Sequence, residues 1–320
     1  MKGTLMKKLT PKARKQAVYY LRTQARPLER ALFCVHFEDG AEEDVVAELV
    51  RFRNDDGGFG HALEPDVQTP SSSALATGIA LRTIAELDCP DADDLVPAAI
   101  DFLLGTLDRK ILAWRPVPAD ANEFPHAPWW HDEDGSLAKT FDNFRVVPRV
   151  LILGSLQAYA ALVPQDVLEP LTDSIIQTIA ELPVLGTGGG SDLEYVAYLA
   201  GTPGLPQATR DLLTERVAAA VPQTVITDPA KWADYCLTPL RAAPRPTSMG
   251  AKAIRNALDT HLDWTIDHQD GDGSWAPTWS WAPTSSGVGN YPEIWPIAEQ
   301  AWRGMLTLET LLSLRAFKRL

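Results

Sequence analysis

"FRNDDGGFG" (52–60) and "DHQDGDGSW" (267–275) are two versions of one turn, and reading them as such decides the fold. Each follows an amphipathic stretch, passes an Asn or Gln, turns at Asp-Gly and ends on a large aromatic residue. Gly57 and Gly273 stand where a helix closes in the left-handed conformation that glycine adopts at little cost. Phe59 and Trp275 are placed to pack the turn back onto the helices. Weaker versions are read at 131–136, "HDEDGS", and 186–192, "GTGGGSD". A unit of roughly 50 residues repeating in this way fits an array of helical hairpins.

Outward from these turns, apolar residues recur at helical spacing, with no alternating strand pattern. The predicted helices pair as 11–24 with 27–37, 41–53 with 71–87, 94–108 with 145–162, 166–182 with 191–201, 206–221 with 230–242, and 251–268 with 296–317. First members such as "EEDVVAELVRFR" are amphipathic and belong on the outside. Second members such as "SSSALATGIALRTIAEL" and "PRVLILGSLQAYAAL" are apolar nearly all round and belong inside. The expected architecture is all-α: an (α/α)6 toroid of about six helical hairpins. It forms one domain over 1–320, with 1–10 a flexible N-terminus. The longest connections run from outer to inner helices and gather at one end of the ring. The N-termini of the inner helices, whose dipoles favour anions, lie at that end too.

Composition narrows the partners. A formal net charge of −13 argues against a general nucleic-acid binder, which needs a basic face. The one basic cluster, Lys2 to Lys15, reads as a solvated helix start. Three widely separated cysteines with no CxxC suggest neither a disulfide framework nor a zinc ribbon. "MKGTLMKKLTPKARKQ" lacks the apolar core of a signal peptide, and no apolar run reaches membrane-spanning length, so a cytoplasmic location is expected. The oligomeric state is left open.

The turn at 268–275, and its Phe-bearing counterpart at 54–59, resemble the repeats of the terpenoid cyclase and protein prenyltransferase superfamily. The chain looks most like that superfamily's uncharacterised stand-alone bacterial members, through "GFGHALEPD", "YCLTPL" and "EIWPIAEQAWRGMLTLETLLSL". The resemblance covers nearly the whole chain. It implies the toroid and an isoprenoid substrate in a central cavity, with acid-initiated cyclisation as the reaction. Mg²⁺ would be needed if that substrate were a diphosphate.

The residues supply candidates for this chemistry. The cyclases' Asp-x-Asp-Asp acid motif appears as "DADD" (91–94), but before an outer helix, where Asp91, Asp93 and Asp94 read as helix capping. The position equivalent to the cyclase acid is "HALEPDVQTPSSS" (61–73). Asp66 is the candidate proton donor there, with Glu64 or His61 setting its charge. A plain structural role, with Asp66 capping a turn and Ser71 capping the helix, competes with this. The prenyltransferase zinc pattern is matched only weakly, by "DYC" (234–236) with His261 and His268, and core packing is the preferred reading; no metal site is expected. Trp129, Trp130, His131, Asp142, Asp234, Trp279, Trp281, Tyr291 and Glu293 are the candidate substrate-binding residues. Aromatic faces can stabilise a carbocation or stack on a sugar. Paired carboxylates beside them suit glycoside hydrolysis equally. Three classes therefore stand: a terpene-cyclase-like enzyme in the lead, a carbohydrate-active hydrolase or polysaccharide lyase, and a non-catalytic binding module. The partner is a small-molecule or oligomeric substrate.

Overall fold

The structure, a computed structural model, describes residues 6–87, 92, 94–186, 190–281 and 291–320. Thirteen α-helices run along the described residues: α1 (Pro11–Thr23), α2 (Pro27–Phe37), α3 (Glu42–Leu49), α4 (Ala74–Ala85), α5 (Leu95–Thr106), α6 (Ser136–Thr140), α7 (Arg149–Ala158), α8 (Gln165–Glu181), α9 (Ser191–Gly201), α10 (Gln207–Thr224), α11 (Pro239–Ala242), α12 (Arg255–Asp267) and α13 (Trp295–Ala316). Extended pairing among these residues is confined to isolated bridges in the connections. The fold is all-helical, and no helix of the described residues is long and apolar enough to cross a membrane.

Local chemistry sets the helix starts. Proline opens α1 and α2, where its missing N–H costs nothing. The Thr10 hydroxyl accepts from Ala13 N at 3.1 Å, and the Ser73 hydroxyl from Ala76 N at 3.0 Å. Ser73, rather than Ser71, is therefore the cap of α4; Ser71 bonds Asp120 instead, at 2.6 Å. Asp94 occupies the cap position of α5 without a side-chain capping bond, while Asp91 and Asp93 lie outside the described residues.

The inside–outside contrast is clear at α4 and α7, which bury eight of 12 and nine of 10 residues, against three of 13 in α1. α9 and α13, also expected inside, bury four of 11 and eight of 22, no larger a share than the outer α5 with five of 12. α4 packs on α7, and α7 on α9. Each inward helix also packs on the helix that opens the next pair: α2 on α3, α4 on α5, α7 on α8, α9 on α10, and α11 on α12. The last helix, α13, packs on the first, α1. The N-terminal segment is correspondingly tied down at 6–10: Leu9 is buried and its N–H bonds Arg319 O at 2.7 Å.

The fifth pair departs from the sequence expectation. In place of a helix over 230–242, a short 3₁₀ turn (Pro229–Lys231) is followed by the four-residue α11. Thr238 precedes Pro239 and is held extended at ψ 161°, which ends any helix from the N-terminal side. Trp232 is fully buried and its Nε1 bonds Ile226 O at 2.7 Å, drawing this segment against α12 instead.

The two diagnostic turns match atom for atom. Asn54 N bonds Gly58 O at 2.9 Å, as Asp270 N bonds Ser274 O at 2.9 Å. Asp56 Oδ1 accepts from Gly58 N and Asp272 Oδ1 from Ser274 N, both at 2.9 Å. Phe59 N donates to Thr77 Oγ1 on α4 at 3.0 Å, and Trp275 N to Thr307 Oγ1 on α13 at 3.2 Å. Gly57 (φ +85°) lies against Ala98 of α5, and Gly273 (φ +96°) against Gln16 of α1. The segment 131–136 is no such turn, because it follows no outer helix and introduces the short α6 inside a long connection. In the 186–192 copy, Gly186 N bonds the Asp192 carboxylate at 3.0 Å, and 187–189 lie outside the described residues.

Candidate functional site

The loop between the first diagnostic turn and α4 carries Glu64 and Asp66, and it is clamped from two sides. From below, the Arg26 guanidinium donates to Ala62 O at 3.0 Å and Leu63 O at 3.3 Å. Arg26 is itself held by a bidentate pair with the buried Glu29, at 2.6 and 2.9 Å. From above, the long connection pairs with the loop: Ala127 N bonds Asp66 O, and Gln68 N bonds Pro125 O, both at 2.9 Å. This backbone frame holds the two acids in place.

Asp66 is 3% exposed, and its Oδ1 accepts two indole N–H bonds, from Trp281 at 2.7 Å and Trp302 at 2.9 Å. Burial drives its pKa up, while the indole donors pull against that rise. Trp279 Nε1 also leans its positive end toward this carboxylate, yet among the described residues it is a buried donor with no hydrogen-bond partner. Glu64 Oε1 accepts from Asp66 N at 3.3 Å. Its pKa is also raised, first by burial and then by the negative charge of Asp66, with the Asp66 N–H and Arg26 opposing. The two carboxyls form one coupled pair in which Asp66 has the donors that favour the anion.

Trp302, one of the two donors to Asp66, leads on to further aromatic residues. Trp279 meets Trp302 edge-on at 5.0 Å and Tyr235 at 5.8 Å. The Arg241 guanidinium lies over Tyr235 at 5.6 Å and grips Glu194 through two bonds of 3.0 and 2.9 Å. Tyr195 is within electrostatic reach of Glu64 and Glu194, and Glu309 of Glu194, Arg82 and Arg241. Burial holds the Tyr195 phenol well above its ordinary range; the surrounding protein and then Glu194 also raise Glu309, although that side chain keeps its contact with solvent. Glu64, Glu194, Tyr195 and Arg241 are partly accessible to solvent.

The sequence-predicted residues sort into three groups. Glu64, Asp66, Trp279 and Trp281 come together. Tyr291, His131 and Trp130 lie in the cap built by the long connections. Tyr291 contacts Trp281 at 6.4 Å and His126 at 5.8 Å, and His126 shares a 3.0 Å bond with His131. Trp130 is buried against Phe141, and Trp129 packs on the same cluster. The third group is at the surface. His61, expected beside the acids, is exposed and bonds the Asn54 side chain at 2.8 Å, because its own φ of +51° turns it outward with the helix-ending turn. Asp142, Asp234 and Glu293 are also exposed. Asp142 faces Arg145 at 3.6 Å. Trp114 and Trp275 are buried wedges whose indole N–H groups bond Leu103 O and Thr265 O. His261 is buried between Trp232 and Trp264, and among the described residues no three His, Cys, Asp or Glu side chains group as metal ligands.

Sequence reasoning missed Trp302, Glu194, Tyr195, Tyr235, Arg241, Arg82 and Glu309. A signal was present: Arg82, Glu194 and Glu309 are charged residues in helices whose other positions are mostly apolar, and Trp302 and Glu309 are seven residues apart, on one face of α13. No family model and no curated protein matches the chain.

Proposed function

We propose that the helical pairs close into an α/α toroid and that the chain is an acid–base enzyme working in the central cavity. Closure is supported by the equivalence of the last pair with the others. α13 packs on α1 as α4 packs on α5, and Gly273 abuts Gln16 of α1 as Gly57 abuts Ala98 of α5. The sixth repeat thus treats the first as its successor.

The observation that carries the reaction is the unequal environment of Glu64 and Asp66. Two indole N–H groups favour the Asp66 anion. Glu64, buried beside that anion, keeps its proton more tightly. Glu64 is therefore the proton donor, in place of Asp66, and Asp66 is the fixed carboxylate that stabilises positive charge as it develops. The cavity's charged lining, with Glu194, Arg241, Arg82 and Glu309, supports an oxygen-rich substrate over a hydrocarbon. The best reading is a glycoside-cleaving enzyme. Glu64 protonates the glycosidic oxygen, the C–O bond breaks, and the oxocarbenium centre forms beside Asp66. Water adds to that carbon and returns its proton to Glu64. A second reading, terpene-cyclase-like acid-initiated cyclisation of an isoprenoid, is favoured by the aromatic group Trp279, Trp302 and Tyr235, whose faces suit a carbocation.

Turnover of a set of aryl glycosides, and of squalene and geranylgeranyl diphosphate with Mg²⁺, tests this. Release of the aryl group by the native chain is expected, with kcat reduced about 10²–10⁴-fold in Glu64→Gln. Cyclic hydrocarbon products without aryl release would move the assignment to the second reading. Inactivity toward every compound, or a fully active Glu64→Gln, would overturn the acid role.

A further inference from the structure

Where α13 packs on α1, a groove of about 1010 Å³ runs between the two helices and the turn that follows α12. Tyr20 lines its floor and is 3% exposed. Among the described residues its hydroxyl has no hydrogen-bond partner, although a buried phenol ordinarily finds one. Burial, and then the nearby Asp272, push its pKa up to about 12, so it keeps its proton and can donate. On the rim, the side chains of Lys12 and Lys15 have no ion pair or hydrogen bond among the described residues. The groove's two carboxylates are already held: Arg303 bonds Glu299 at 2.8 Å and lies 3.9 Å from Asp272. The free charge of the groove is therefore positive, in a chain of net charge −13.

The matching turn earlier in the chain supplies a comparison. Gly273 abuts Gln16 of α1 as Gly57 abuts Ala98 of α5, which sets Tyr20 in register with Phe102. The turn accommodates a plain ring there, without a hydroxyl. In the same register Lys12, Lys15 and Tyr19 correspond to Asp94, Pro97 and Asp101. The donor and the cations are thus additions to the shared turn rather than requirements of it. A second groove, of about 970 Å³, runs along the other side of α1. It shares Pro11, Lys15 and Tyr19 with the first and adds Lys8 and Arg14, whose side chains are also unpaired among the described residues. Tyr19, common to both grooves, is 65% exposed.

Together the two grooves exceed the roughly 300–1,000 Å³ that a compact small molecule occupies. A flat anionic membrane cannot reach a phenol at the floor of a groove, and a nucleic-acid backbone would bring phosphates against Asp272 and Glu299. A polypeptide segment meets neither obstacle. Its backbone carbonyl can accept from Tyr20 while its carboxylates reach the lysines. We propose that the exposed face of α1 is a docking surface for an acidic peptide segment of a partner protein, with Tyr20 donating to the segment's backbone and Lys12 and Lys15 pairing its acidic side chains. This surface shares no residue with the Glu64–Asp66 site and is independent of the reaction assigned there.

The test is fluorescence anisotropy of the full chain with a labelled dodecapeptide of Glu-Gly-Leu repeats and its Gln-Gly-Leu counterpart. The acidic peptide is expected to bind about tenfold more tightly than the neutral one at low salt, with the difference shrinking as salt is added. The double variant Lys12→Glu with Lys15→Glu should abolish the difference. Arg109→Glu with Lys110→Glu, at an exposed turn elsewhere, should leave it intact. Tyr20→Phe should weaken the acidic peptide about fivefold, the worth of one hydrogen bond. Its melting temperature should match the native one, because no described residue accepts from the hydroxyl; this also reports that the variant folds. Equal binding of the two peptides, no binding of either, or a preference that survives in the Lys12 and Lys15 double variant would each overturn the proposal. Tighter binding of an oligoribonucleotide or of phosphatidylserine vesicles, lost in the same double variant, would reassign the surface to that anion. Unchanged peptide binding by Tyr20→Phe would overturn the donor role.

Discussion

Asp66 illustrates how one carboxylate is held by opposing forces. Burial pushes it toward the neutral form, and two indole N–H groups pull it back. Both it and Glu64 bind protons more tightly in the folded chain than in the unfolded one. Their contribution to stability is complete below the ordinary carboxylate range and is lost as pH rises through the raised folded values. His261 works the other way. It is 5% exposed, its Nε2 has no partner among the described residues, and burial pushes its pKa from 6.5 down to about 3. Its contribution is present above pH 6.5 and is lost as pH falls toward 3. Urea midpoints measured across pH should therefore fall on both sides of an intermediate optimum. Glu64→Gln should flatten the alkaline limb, and His261→Leu the acid limb. An alkaline limb unchanged by Glu64→Gln would mean that its proton affinity is ordinary. At this scale the sequence showed which carboxyls could matter. It could not show which would be ionised, because the donors to Asp66 come from residues 215 and 236 positions away.

The turn between an outer and an inner helix is the element on which the fold depends, and its parts are separable by mutation. A Cβ at Gly57 would lie 2.5 Å from Ala98 O, and one at Gly273 would lie 2.4 Å from the Gln16 backbone. Gly135 also has a positive φ, of +76°, but nothing within 4 Å. Gly135→Ala should therefore cost only the left-handed strain, roughly 1–2 kcal/mol, and Gly57→Ala clearly more, since its neighbour is backbone. Denaturant unfolding gives both values, and equal costs would show that Ala98 can yield. Thr77→Val keeps the volume but takes the acceptor from the buried Phe59 N–H. It should cost about 1–3 kcal/mol, as should Thr307→Val at the matching position under Trp275. The helix-ending turns were legible because Asp-Gly-Gly and Asp-Gly-Ser encode a local conformation. The threonines were not, because nothing local marks a hydroxyl as the acceptor for a turn 18 or 32 residues earlier.

At the scale of the molecule, the first and last helices depend on each other. α1 buries Ala17, Tyr20 and Leu21, and packs on α13. Arg319, 3% exposed, donates to Lys7 O, Asp263 and Asp259 at 2.9, 2.7 and 3.0 Å. Removal of residues 1–24 should therefore do more than delete a peripheral helix. At about 1.5–3 kcal/mol for each large buried side chain, it would cost roughly 5 kcal/mol and uncover the face of α13. Calorimetry should show a lowered, broadened transition for the truncated chain; an unshifted transition would mean that the ends do not close the structure. The sequence alone determined the all-helical class, the buried character of α4 and α7 and the two sharpest turns, because apolar spacing and glycine conformation are local properties. It also singled out the loop that carries Glu64 and Asp66. Only the tertiary structure decided that the fifth inner helix shrinks to four residues, that His61 faces solvent, that Trp302 donates to Asp66 and that Arg241 grips Glu194. The physical reason is the same in each case: helical periodicity fixes which face of a helix is apolar, whereas a site is assembled from single side chains whose neighbours are set by how distant helices pack.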